Sequence, residues 1–154
     1  MGGRPPRRSL DDSRREHRSL SVRLADLERL AATRAPHHAS PQRLRPVLDD
    51  FLSRWGPRLL KHLELEARMV GPRVGGSFPD ETGTLETFER EREDFAELLR
   101  LLGDGRDWLD RQEPGAEAEI AAVVRDLSSL WEKHVRRVDV LAPLLTRLEG
   151  PSRA

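Results

Sequence analysis

The chain has 154 residues, no cysteine, and 27 basic residues balanced by 27 acidic ones. That size allows one domain with its own core, and zero cysteines exclude disulfides, thiolate metal sites and cysteine nucleophiles. The neutral balance argues against a dedicated nucleic-acid binder, and no apolar run approaches the roughly 20 residues that a membrane span needs.

Leu, Ala, Arg and Glu dominate the composition, aromatic residues make up 5%, and tyrosine is absent. This mixture favours helices over strands. Only two of the 27 basic residues are lysines, Lys61 and Lys133. Residues 1–8 (MGGRPPRR) read as a disordered tail with no apolar stretch behind it, hence not as a secretory signal. Ser9 followed by Asp11 and Asp12 marks a helix start, with a hydroxyl cap and acids at the positive end of the dipole. Leu10, Leu20, Leu24, Leu27 and Ala31 form its apolar stripe, so a first helix is predicted over 9–33. Residues 34–40 are a linker, and Ser40-Pro41 opens a second helix with the stripe Leu44, Leu48, Phe51, Leu52, Trp55, Leu59 and Met69. Gly56-Pro57 is expected to kink or split it. A Gly/Pro-rich loop over 71–84 precedes a third helix over about 84–102, carrying Leu85, Phe88, Phe95, Leu98, Leu99 and Leu102 and ended by Gly103 and Gly105. Residues 106–113 form a short turn around Trp108. Pro114 opens the fourth helix, which runs to Glu149 on the stripe Leu127, Trp131, Leu141, Leu145 and Leu148, before a tail over 150–154. Four amphipathic helices with short connections predict an all-α, up-down-up-down antiparallel four-helix bundle over 9–149.

Each stripe is interrupted by polar groups. His17 lies in register with Leu10, Leu20 and Leu24; His62 and Glu66 continue from Leu52, Trp55 and Leu59; His134 continues from Leu127 and Trp131; and Arg92 lies between Phe88 and Phe95. Burying such groups is costly unless they are paired or bind a metal. A single core histidine carries little weight, but three imidazoles and a carboxylate from three helices form a ligand set for iron, manganese or zinc. His62 and Glu66 stand one turn apart on the same helix face. A structural polar core is the competing reading.

Glu16-His17-Arg18, the His62-x-x-x-Glu66 pair and Leu130–Leu145 (LWEKHVRRVDVLAPLL) resemble the hemerythrin-like, or HHE, cation-binding domain, over about residues 10–148. The resemblance implies a four-helix bundle with a non-haem di-iron centre that binds or senses dioxygen, handles nitric oxide or peroxide, or responds to iron. It implies His17, His62, Glu66 and His134 as metal ligands, with Glu66 bridging. Two positions depart from the family pattern. Arg92, in Arg90-Glu91-Arg92-Glu93, stands where the family has a helix-3 histidine, and a guanidinium is no ordinary metal ligand. Val138 stands where the family often has a carboxylate, with Asp139 one step on as a substitute ligand.

Two outcomes follow. One is a depleted site holding iron, one ion or two, on His17, His62, Glu66 and His134, with Asp139 in reserve. The other is a metal-free bundle serving as an interaction or regulatory module, its core closed by an Arg92–Glu66 ion pair. Glu89 and Glu93 are the inward alternatives should the third helix be rotated. The resemblance also implies a small diatomic ligand, and a protein partner or self-association stays open. His37-His38 and the Arg-rich stretches are read as surface, and Gly71–Gly76 lacks the Lys-Ser/Thr ending and the preceding strand of a phosphate loop. No nucleophile elbow or phosphate loop is present, so an enzyme is not the expectation. A cytoplasmic protein without nucleic-acid or membrane partners is.

Overall fold

Ser9 begins the chain's first helix as expected. Its hydroxyl accepts from the Asp12 N–H at 3.1 Å, and the Asp12 carboxylate accepts in return from the Ser9 N–H at 3.1 Å. Two orphan donors are thereby satisfied reciprocally. In this computed structural model the described residues are 9–31, 41–74 and 82–149. The expected tails, the 34–40 linker with His37-His38, and residues 75–81 of the 71–84 loop lie outside them.

The helices are α1 (Leu10–Ala31), α2 (Pro41–Asp50), a π-helical turn (Phe51–Trp55), α3 (Gly56–Val74), α4 (Thr82–Asp110) and α5 (Ala116–Glu149), with no strand among the described residues. The all-α bundle is as expected: α2, the π turn and α3 run on from one another and act as the second of four helices. α5 packs against α4 and α1, and α3 packs against α4.

Several element boundaries differ from the sequence expectation: α3 runs through Gly71-Pro72 to Val74 where a loop is expected, and α5 starts at Ala116, beyond Pro114. Gly56-Pro57 does not end the second helix, but a π-helical turn just before it divides the run into two α-helical stretches, α2 and α3. The preceding turn widens, and the Gly56 N–H donates to the Phe51 carbonyl five residues back. The π turn takes up the disturbance from Pro57, which has no N–H to give. The apolar stripe is uninterrupted across it, with Phe51, Trp55 and Leu59 all buried.

Gly103 and Gly105 likewise do not end the third helix, which continues to Asp110. Leu102, Gly105 and Leu109 are all buried, so the inward stripe runs through the glycines. A Cβ at Gly105 would sit 2.8 Å from Ile120 Cγ1. Glycine here lets α4 and α5 approach closely rather than stopping a helix. The stop falls instead at Gln112, whose φ is 54°, with the Glu113 N–H donating to the Trp108 carbonyl at 2.9 Å.

The core has two apolar parts. The larger spans Leu20, Leu24, Leu27, Phe51, Leu59, Leu63, Phe95, Leu127 and Trp131 among others; the smaller gathers Phe88, Val138 and Leu141 with Leu10 and Ala67. Between them lies a buried polar layer: Ser13, His17, His62, Glu66, Glu91 and His134.

Candidate metal centre

The polar layer follows from helical spacing. Ser13, His17, Leu20 and Leu24 lie on one face of α1; Leu59, His62, Leu63 and Glu66 on one face of α3; and Leu127, Trp131, His134 and Val138 on one face of α5. Burial of the leucines and of Trp131 carries the intervening polar side chains inward.

Glu66, fully buried, is the focus. Its Oε1 lies 2.8 Å from His17 Nε2 and 3.1 Å from His62 Nε2, and its Oε2 lies 2.7 Å from His134 Nε2. The Ser13 hydroxyl donates to Oε1. One donor atom from each of His17, His62, Glu66 and His134 falls within 4.8 Å of every other. Trp131 forms one wall: its ring stacks on His134 at 26° and 5.2 Å and meets His17 edge-on at 5.4 Å. Its indole N–H donates to Ser21 at 2.8 Å. Phe88 closes another side, edge-on to His134 at 5.8 Å.

Charge explains the shifts in ionisation. Burial pushes the Glu66 carboxyl up, but the imidazoles of His134, His17 and His62 overturn that and hold it far below the ordinary carboxylate range. Burial also disfavours a charged His134, yet Glu66 and Glu91 on its two nitrogens raise its pKa.

The sequence expectation fails on the third helix. Arg92 is exposed, and the residue turned inward is Glu91, 3% exposed. The anticipated Arg92–Glu66 pair is therefore not what closes the core. A free guanidinium is cheaply solvated at position 92, whereas Glu91 meets two partners inside. Glu91 Oε1 lies 2.5 Å from His134 Nδ1, and Glu91 Oε2 pairs with Arg137 Nη1 at 2.7 Å. Glu89 and Glu93, the rotated alternatives, are exposed as well. Asp139 is also exposed and stands outside the cluster, while Val138 takes the inward position beside Phe88. Ser13 and Glu91 were both missed from the sequence. Ser13 had a usable signal, since it precedes His17 by four residues and shares its face.

The residues fit a cation. His17 Nε2 and His134 Nε2 approach Glu66 oxygens to 2.8 and 2.7 Å without the alignment of a hydrogen bond. Donors about 2.1 Å from a shared ion and at right angles across it stand about 3 Å apart. The His134 ring also has a carboxylate on each nitrogen, Glu91 on Nδ1 and Glu66 on Nε2, so with one proton on Nδ1 the Nε2 needs a second proton or a cation to meet Glu66. A lone pair facing a carboxylate oxygen is repulsive unless a proton or metal ion lies between them.

A family model described as the hemerythrin HHE cation binding domain matches residues 8–145. No curated protein and no solved structure matches the chain.

Proposed function

Since the chain belongs to the hemerythrin HHE cation-binding domain family, we propose that it is a non-haem iron protein that binds or senses oxygen, nitric oxide, or the redox or iron state of its surroundings. His17, His62, Glu66 and His134 would hold the ion. The observation that carries this reading is the convergence of three imidazoles from α1, α3 and α5 on one fully buried carboxylate. Neutral imidazole and carboxylate donors suit ferrous iron, which supplies reversible binding of small diatomic molecules when coordination positions stay open.

The chain's own residues do the rest. The Ser13 hydroxyl fixes the rotation of the Glu66 carboxylate. Trp131 and Phe88 wall the donors from bulk water, and a low-polarity wall strengthens every electrostatic contact inside it. Glu91 orients His134. No helix among the described residues is long and apolar enough to cross a membrane.

Anaerobic loading with ferrous iron, followed by desalting and metal analysis, tests the reading. Iron retained in stoichiometric amount, with an optical spectrum that changes on addition of nitric oxide or air, is the expected result. Retention of zinc or manganese with no iron would remove the gas-binding role and leave only the cation site.

A further inference from the structure

We infer that the centre takes a single cation and that Glu91, braced by Arg137, is a positioning residue for the His134 ligand. This rests on the cation reading above and goes beyond it in the number of ions and in the outer residues that set it.

The number follows from size. Opposite donors on one ion lie a little over 4 Å apart, and the four donors, all within 4.8 Å of one another, come close to that span. Two ions about 3.5–4 Å apart, each with its own terminal donors, need a set spread over roughly 8 Å. The residues that would supply the second half of such a set do not do so. Val138 is apolar and packed on Phe88, Asp139 faces solvent, and on α4 the positions on either side of Glu91 are exposed.

Glu91 is the remaining inward carboxylate of α4 among the described residues, and both its oxygens are engaged elsewhere. One meets His134 Nδ1 at 2.5 Å and the other meets Arg137 at 2.7 Å. Arg137 lies three residues after His134 on α5, and its guanidinium also covers the Phe88 ring at 5.6 Å. It meets the Glu91 oxygen turned away from His134 and so holds that carboxyl group in place beside the ring. A carboxylate on the far nitrogen fixes the ring's tautomer and tilt and makes the near nitrogen a stronger donor.

Cobalt(II) provides the test, as it reports both stoichiometry and ligand field. The wild-type chain should bind one cobalt with no magnetic coupling. Glu91→Gln retains an acceptor but loses the charge. It should still bind one ion, weaken the Kd by about 10–100-fold, and shift the visible cobalt bands. Arg137→Gln removes the brace from a partly exposed position and should act in the same direction more weakly, which serves if Glu91→Gln does not fold. A purely structural role for Glu91 would lower the melting temperature of the metal-free chain and leave the Kd and bands of the folded variants unchanged. That result, or two ions per wild-type chain, overturns this inference and leaves the cation reading standing. Failure of the wild-type chain to bind cobalt, zinc or ferrous iron overturns both.

Discussion

Replacing Glu66 by Gln removes the charge at the point where three imidazoles meet, at almost no change in volume. In the wild-type chain, an ion present at a hundred times its Kd should stabilise the fold by about 2.7 kcal/mol. For a domain of this length that corresponds to a rise in melting temperature of about 5–11 °C. Losing the anionic donor should cost at least as much affinity as losing an outer-sphere partner. A hundredfold loss brings the same ion concentration down to the Kd itself, leaving about 0.4 kcal/mol of stabilisation. The substitution also acts without metal. Glu66 is fully buried and faces His134, whose pKa is raised, and removing one member of a buried pair typically costs about 3–5 kcal/mol. The lower end applies here, because Glu91 remains on the other nitrogen of that ring. Paired thermal melts of wild type and Glu66→Gln, each with chelator and with ferrous iron or cobalt, read both effects. A variant that keeps the full metal-induced rise would refute the placement of Glu66 at the centre of the ligand set.

The metal-free chain should be most stable at mildly acidic pH. Glu66 has a lowered pKa, so its contribution is complete above the unfolded carboxyl value of about 4.3 and is lost as pH falls towards the folded value. His134 has a raised pKa, so its contribution is complete below the unfolded imidazole value of about 6.5 and is lost as pH rises through the folded value. Urea unfolding in chelator across that range should therefore fall off on both sides; stability that climbs steadily from pH 6 to 9 contradicts the assignment. Gly105→Ala should destabilise the chain by about 1–3 kcal/mol through overpacking, because the new methyl group meets Ile120 at 2.8 Å; an unchanged denaturant midpoint would mean α4 and α5 can separate freely. Arg92→Ala should alter stability by no more than about 0.5 kcal/mol and leave metal retention intact, as its side chain is exposed; loss of metal in that variant would show that residue 92 acts at the centre after all.

Much of the molecule could be read from the order of its residues, because the helical period is a local property. Leucines three and four apart mark the faces that turn inward, and His17, His62, Glu66 and His134 follow as passengers on those faces. Ser9 with Asp12 likewise announces the start of α1 through chemistry contained within four residues. What period alone leaves open is phase where two neighbours fit equally well. Glu91 and Arg92 are each three or four residues from both Phe88 and Phe95, and only the packing of α4 against His134 and Arg137 selects Glu91. The same holds for Gly105. Locally it is a helix terminator; against Ile120 of another helix it is the small residue that allows two helices to meet. Asp139 and Val138 repeat the lesson on α5, where a one-residue step of about 100° separates solvent from core. Periodicity thus determined which helices exist and which donors they carry inward. Contact between helices, distant in sequence and absent from any local pattern, decided how those donors are braced.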